Sequence, residues 1–214
     1  MAKKETLVKK AKRSRRGKPA PREGYLAGQL LIAMPGMRDP RFARSVIYLC
    51  AHSEDGAMGI IINQRADDIS FPELLMQAHV VAEGREGEVP SEVRSMPVHI
   101  GGPVESSRGF VLHSPEYTTD DSTMAIDDDV SLTTTVDILR AIAVGEGPDK
   151  TLFALGYAGW EAGQLEREIQ ANGWLHCESD REIIFQTALD RKYERALSKL
   201  GVHPTHLVND AGHA

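Results

Sequence analysis

The chain has 214 residues, 41% of them hydrophobic and 26% charged, which suits a globular fold with a substantial core. No apolar run approaches the roughly 20 residues that cross a bilayer, and no apolar stretch follows the basic N-terminus as a secretion signal requires, so membrane and secreted classes are set aside. The net charge of −6 is an average over two unlike parts: residues 1–24 carry ten Lys or Arg against Glu5 and Glu23, a net +8, leaving −14 on residues 25–214.

The first 24 residues hold few apolar side chains, two prolines and no periodicity, which predicts a disordered basic arm outside a single domain spanning 25–214. A mitochondrial presequence is the rival reading, but such segments favour Arg and Ser over the Lys found here. Cys50 and Cys177 are far apart and show no metal-ligand spacing, so two free thiols in a reducing cytoplasm are expected.

From Gln29 the pattern alternates strands and helices. QLLIAM (29–34) reads as a strand stopped by Pro35-Gly36, a pair suited to a type II turn. VIYLCAH (46–52) and AMGIIIN (57–63) read as a hairpin around Asp55-Gly56, the second strand apolar enough to lie centrally. FPELLMQA (71–78) reads as a short helix, followed by an exposed acidic loop. PVHIGG (97–102) and GFVLHS (109–114) read as strands on either side of a turn, PVESSR.

TTTVDILRAIAV (133–144) has helical spacing and ends at Gly145, and KTLFALGYA reads as a strand. EAGQLEREIQAN is expected to be a helix closed by Gly173, WLHCES and EIIFQT two strands, and DRKYERALSKLG a helix closed by Gly201. The interleaving predicts one α/β or α+β domain with a mixed sheet covered by helices.

The stretch LGYAGWEAGQLEREIQANGWL (155–175) poses the sharpest chemical question. Gly156, Gly159 and Gly163 match neither the dinucleotide fingerprint nor the phosphate loop, and Glu161 in the expected first helical turn already occupies the positive end of the dipole. Close packing of helix on sheet, with Trp160 beside the turn, is the preferred reading over a phosphate or cofactor site. No cofactor and no metal are expected.

Other constellations are weaker. His113 and Ser114 are neighbours on a strand and point to opposite sides. Asp127–Asp129 with Asp120 and Asp121 could attract Mg²⁺, but an acidic loop without a phosphate-binding partner is usually only solvated. His203, His206, Asp210 and His213 have ligand types, yet Pro204 prevents a shared helical face. Alternation places Val46, Tyr48, Cys50 and His52 on one face, leaving Cys50 as an inert hydrophobe unless His52 activates it. Arg38, Arg41 and Arg44, spaced by three, could clamp a carboxylate or phosphate or form a solvated rim.

GQLLIAMPGMRDPRFARSVIYLCAHSEDGAMGIIIN, VHIGGPVESSRGFVLH, LGYAGWEAGQLEREIQANGWL, DREIIF and the closing GHA together resemble the YqgE/AlgH family of bacterial proteins, from about Gly28 onward. The resemblance implies a compact α/β domain whose mixed sheet curls toward a partial barrel, in the bacterial cytoplasm. The family is commonly labelled a transcriptional regulator, with no catalytic residue or cofactor assigned. Gln64-Arg65 stands where the family tends to have Arg-Pro, and Tyr193 where tryptophan is frequent.

Two functional classes follow. The first is a non-enzymatic regulatory domain that binds a protein or small-molecule partner, with weak non-specific nucleic-acid contact through the basic arm; a body at −14 without helix-turn-helix spacing is poorly suited to reading DNA itself. The second is an unrecognised enzyme whose pocket gathers Pro35, Gly36, Asn63, Gly101, Gly102 and Trp160. Arg38 and Arg41 join these as candidate ligand contacts in either case.

Overall fold

The computed structural model describes residues 25–119 and 122–202. Nine strands form one sheet: β1 (Gln29–Ala33), β2 (Val46–Ser53), β3 (Gly56–Ile61), β4 (Val98–Ile100), β5 (Val104–His113), β6 (Thr123–Ala125), β7 (Ser131–Thr133), β8 (Thr151–Glu161) and β9 (Trp174–Glu178). The order is β6-β7-β5-β8-β3-β2-β1-β9, all antiparallel, with β4 added parallel to β8. The sheet is therefore mixed, and it curls into a half-barrel.

The concave face holds the main core, including Leu30, Ile32, Tyr48, Ile60, Phe110 and Leu112. Two helices, α5 (Arg181–Phe185) and α6 (Leu189–Lys199), close this face with Ile183, Ile184, Tyr193 and Leu197. Two separate clusters cover the convex face. One lies under α1 (Phe71–Gln77), α2 (Ser91–Arg94) and α3 (Val136–Ala143), the other under α4 (Gln164–Gln170).

Several elements depart from the sequence reading. EIIF forms α5 rather than a strand: the Asp180 carboxylate accepts from the Glu182 N–H at 2.9 Å and starts a helical turn, so that the adjacent Ile183 and Ile184 both bury in one core. β8 runs on through Gly159 and Trp160 to Glu161, so α4 begins at Gln164, and its first turn contains Glu166 rather than Glu161. The turn after β1 is closed by Met37 N–H to Met34 O at 2.9 Å, but Gly36 does not take the positive φ of a type II turn. The acidic loop contains α2 and buries Val89.

His52 does not share a face with Cys50. The β2–β3 register shifts between Leu49 and Ala51, a bulge that leaves Cys50 in the concave core while His52 turns to the convex side and meets Glu166 of α4 at 2.9 Å.

The segment read as a turn, PVESSR, is the start of β5, and the chain there does not make a hairpin. Val98 of β4 and Val111 of β5 both pair with Phe153, so the two strands flank β8 on opposite edges and Gly101–Pro103 must cross it. The crossing lies at Gly156, which has φ +73°; a Cβ on Gly101 would sit 2.2 Å from Gly156 O, and one on Gly156 would sit 2.4 Å from Gly102 O. Backbone lies directly on backbone here, which only glycine permits. Close approach is thus the role of Gly101, Gly102 and Gly156, not of Gly159 or Gly163 as the sequence suggested. A Cβ on Gly159 would meet only the Tyr157 ring at 3.2 Å and Val104 at 3.9 Å, and one on Gly163 only the end of Arg167.

Candidate functional site

The convex side beside α4 carries a groove of about 780 Å³, within the range of ligand sites. Its floor is aromatic. Trp160 comes from β8 and Trp174 from β9, their rings edge-to-face at 5.8 Å, and Phe42 packs edge-on against Trp174 at 5.7 Å. Glu168 of α4 draws both indoles together: its Oε2 accepts from Trp160 Nε1 at 2.9 Å and Trp174 Nε1 at 2.8 Å, while Oε1 accepts from Gln164 Nε2 at 2.8 Å. One carboxylate thereby fixes the whole floor.

The opposite wall is the loop between β1 and β2, with Gly36, Arg38, Asp39, Arg41 and Phe42. Asp39 caps a short 3-10 turn, Pro40–Phe42, by accepting from the Arg41 N–H at 3.0 Å. Its carboxylate is gripped by the Arg41 guanidinium through three contacts between 2.6 and 3.2 Å. This hydrogen bonding holds the Asp39 carboxyl below its usual range and raises Arg41. Arg38 is exposed and makes no hydrogen bond or ion pair among the described residues.

Of the residues singled out in the sequence, Gly36, Arg38, Arg41 and Trp160 line this groove, and Pro103 and Val104 extend the Gly101-Gly102 crossing into it. Pro35 stands exposed at the turn. Asn63 braces the loop from outside the groove, with Oδ1 accepting from Val46 N at 2.8 Å and Nδ2 donating to Arg44 O at 2.9 Å. Arg44 lies 4.6 Å over the Tyr193 ring on the concave side, so the arginine triplet does not converge. Sequence reasoning missed Phe42, Gln164, Glu168 and Trp174. The second tryptophan was the available signal, since the chain has only two.

The other chemically suggestive groups are used in packing. His113 Nδ1 meets Ser114 O and its Nε2 meets Thr133 Oγ1, both within the core. His99 bonds Phe153 O through Nδ1, and burial pushes its pKa down to about 4. Burial also raises the Cys50 thiol and lowers Lys192 to about 8, the ammonium donating to Ile184 O at 2.6 Å. Asp127 accepts from Tyr48 Oη at 2.6 Å and from the N–H groups of Asp129 and Val130. Among the described residues no group of three His, Cys, Asp or Glu could hold a metal ion. Asp120, Asp121, the C-terminal histidines and the basic arm lie outside the described residues. Among the described residues no helix is long and apolar enough to cross a membrane.

Comparison with known proteins finds relatives that match almost the whole chain. Residues 30–205 match the profile of the DUF179 (AlgH-like) family. A UPF0301 protein of Methylobacterium nodulans is 61% identical over 91% of this chain and 92% of its own length. Another, from Rhodopseudomonas palustris, is 55% identical over 97% of this chain and all of its own. The solution structure of the AlgH protein from Pseudomonas aeruginosa, 40% identical, superposes with a TM-score of 0.72 over 94% of this chain and 100% of that one. Protein DIP2367 from Corynebacterium diphtheriae, at 20% identity and a TM-score of 0.63 over 92% of this chain and 95% of its own, shares the fold.

Proposed function

The chain belongs to the AlgH-like family, and from that premise we propose that it is a non-enzymatic regulatory domain of the bacterial cytoplasm that binds a protein or small-molecule partner in the groove floored by Trp160 and Trp174. The observation that carries this reading is the state of the groove's charged groups. Glu168 is saturated by three donors and Arg41 is chelated by Asp39, so neither is poised to transfer a proton, while the aromatic floor and Arg38 suit recognition. The groups with strongly shifted pKa, His99, Lys192, Cys50 and Tyr48, sit in the core away from the groove, which weakens the enzyme alternative. A regulator label is compatible with this role through a partner; the body's charge of −14 argues against direct DNA reading.

Both tryptophans of the chain line the groove, so intrinsic emission reports its occupancy. A defined library of nucleotides, carboxylates and short peptides is titrated while emission is followed, with mass analysis of each ligand after incubation. Saturable emission changes that disappear in Arg38→Ala, with the ligand recovered intact, support the proposal. Chemical conversion of a ligand would sink it, as would binding indifferent to groove substitutions.

A further inference from the structure

A second concavity of about 1200 Å³ lies on the other convex cluster, between α1, the segment that follows it and the outer face of β8 at Leu155. Its apolar wall includes Ile69, Val80, Val81 and Leu155. The rim is acidic: Asp68, Glu73, Glu83 and Glu86. Glu73 is engaged by the Ser70 N–H and hydroxyl, Glu86 accepts from the Gly84 N–H, and Arg85, beside His79 on the same wall, is bound to Glu88 at 2.7 Å. Asp68 and Glu83 have no hydrogen-bond or ion-pair partner among the described residues. The cavity thus sets uncompensated negative charge around an apolar wall.

We infer that the occupant of this groove is the chain's own basic segment, residues 1–24. Charge complementarity is the first argument: that segment carries +8 against a body at −14, and its Lys and Arg stems, with Leu7 and Val8, can lie on the apolar wall while their heads meet carboxylates. Reach is the second. The segment joins the fold at Tyr25 and Leu26, where the Tyr25 ring packs edge-on to His52 at 5.1 Å and Leu26 N–H donates to His52 Nδ1 at 3.0 Å. His52 pairs with Ala57 and Ala57 with Trp160, so Leu155 on the groove wall lies two strands across and five residues along β8 from His52, about 20 Å away. An extended chain of this length spans up to ~80 Å. Tethering gives the segment an effective concentration on the order of millimolar, which a free polyanion repelled by the body must outcompete. The other acidic run is less suited, because the Asp127 carboxylate is already committed to Tyr48 and its own turn.

The test uses a chain lacking Ala2–Arg22 and a synthetic peptide of residues 1–24, titrated by calorimetry. One-to-one binding is expected at low salt, fading steeply as salt rises, and weakened about tenfold or more by Asp68→Lys with Glu83→Lys. Asp68→Asn with Glu83→Gln gives a smaller loss in the same direction and serves if charge reversal disturbs folding. In the full chain the same substitutions free the segment and raise affinity for a single-stranded RNA oligonucleotide. Absence of peptide binding overturns the inference, as does binding indifferent to Asp68 and Glu83. RNA affinity of the full chain unmoved by the substitutions overturns it equally, since the segment would then be serving nucleic acid undocked.

Discussion

Gly102→Ala probes the strand crossing that joins the two halves of the sheet. A Cβ at this position would stand 2.2 Å from the Tyr157 carbonyl carbon, 2.3 Å from its oxygen and 2.4 Å from Ala158 N, and the residue has φ +152°. All three atoms belong to the backbone of β8, so no rotamer change relieves the overlap. The conformation costs about 1–3 kcal/mol and the overlap about 1–3 kcal/mol or more, together on the order of 3–5 kcal/mol. That is a large part of the ~5–15 kcal/mol that holds a domain folded. Followed by tryptophan emission on heating, the variant is expected to melt about 6–20 °C below the parent, at ~2–4 °C per kcal/mol for a domain of this size. Gly36→Ala is the control: nothing lies within 4 Å of its Cβ position and its φ is not positive, so the change should stay within ~0.5 kcal/mol. A Gly102→Ala protein melting within about 2 °C of the parent would refute the crossing as a close-contact device.

Glu168→Gln leaves one oxygen where three donors now share two, and is expected to cost about 1–3 kcal/mol and to shift tryptophan emission; unchanged emission would mean that the indoles are fixed by packing alone. Alkylation without reductant should modify neither buried thiol quickly in the native protein and both after unfolding, whereas a mass deficit of a disulfide would contradict the free state of Cys50 and Cys177. Lys192 loses its proton near pH 8 in the folded protein but near 10.5 when unfolded, so between these values the unfolded chain binds more protons and stability rises with pH, the burial penalty being fully present below 8. Relative to Lys192→Met, the parent should gain on the order of 2–3 kcal/mol across that window in urea unfolding, and a flat difference would show that the ammonium is not desolvated.

The parts of this fold that local chemistry decides were legible. Asp55-Gly56 specified the β2–β3 hairpin, and the periodic α3 and α6 end at Gly145 and Gly201, both with positive φ. The misreadings share a cause, which is that distant partners settled them. EIIF has strand propensity, but the concave core offered one apolar site for both isoleucines and Asp180 offered a cap. The bulge at Cys50 breaks a parity that alternation alone must assume. VHIGGPV and LGYAGW look like independent glycine turns until the sheet pairs them. The groove was half visible for the same reason: Arg38, Arg41 and Trp160 advertise themselves, while Glu168 reads as one more charge on a solvated helix until two indoles are brought to it.

The insertion of β8 between β4 and β5 also dictates when the sheet can close. Val98 waits for Phe153, and Ala57 for Trp160, so most strand pairing between the halves depends on a strand translated long after its neighbours, and only the short bridge of residues 61–66 to β4 and Gly101 forms without it. Until Glu161 is available, β4 and β5 lack the strand that both pair with, and Gly56–Gly59 of β3 lack their partners. Such long-range closure places refolding in the slow, millisecond-to-second regime of β-rich topologies. On the ribosome the protein is then most vulnerable to aggregation while β3, β4 and β5 are already outside the exit tunnel and β8 is still within it.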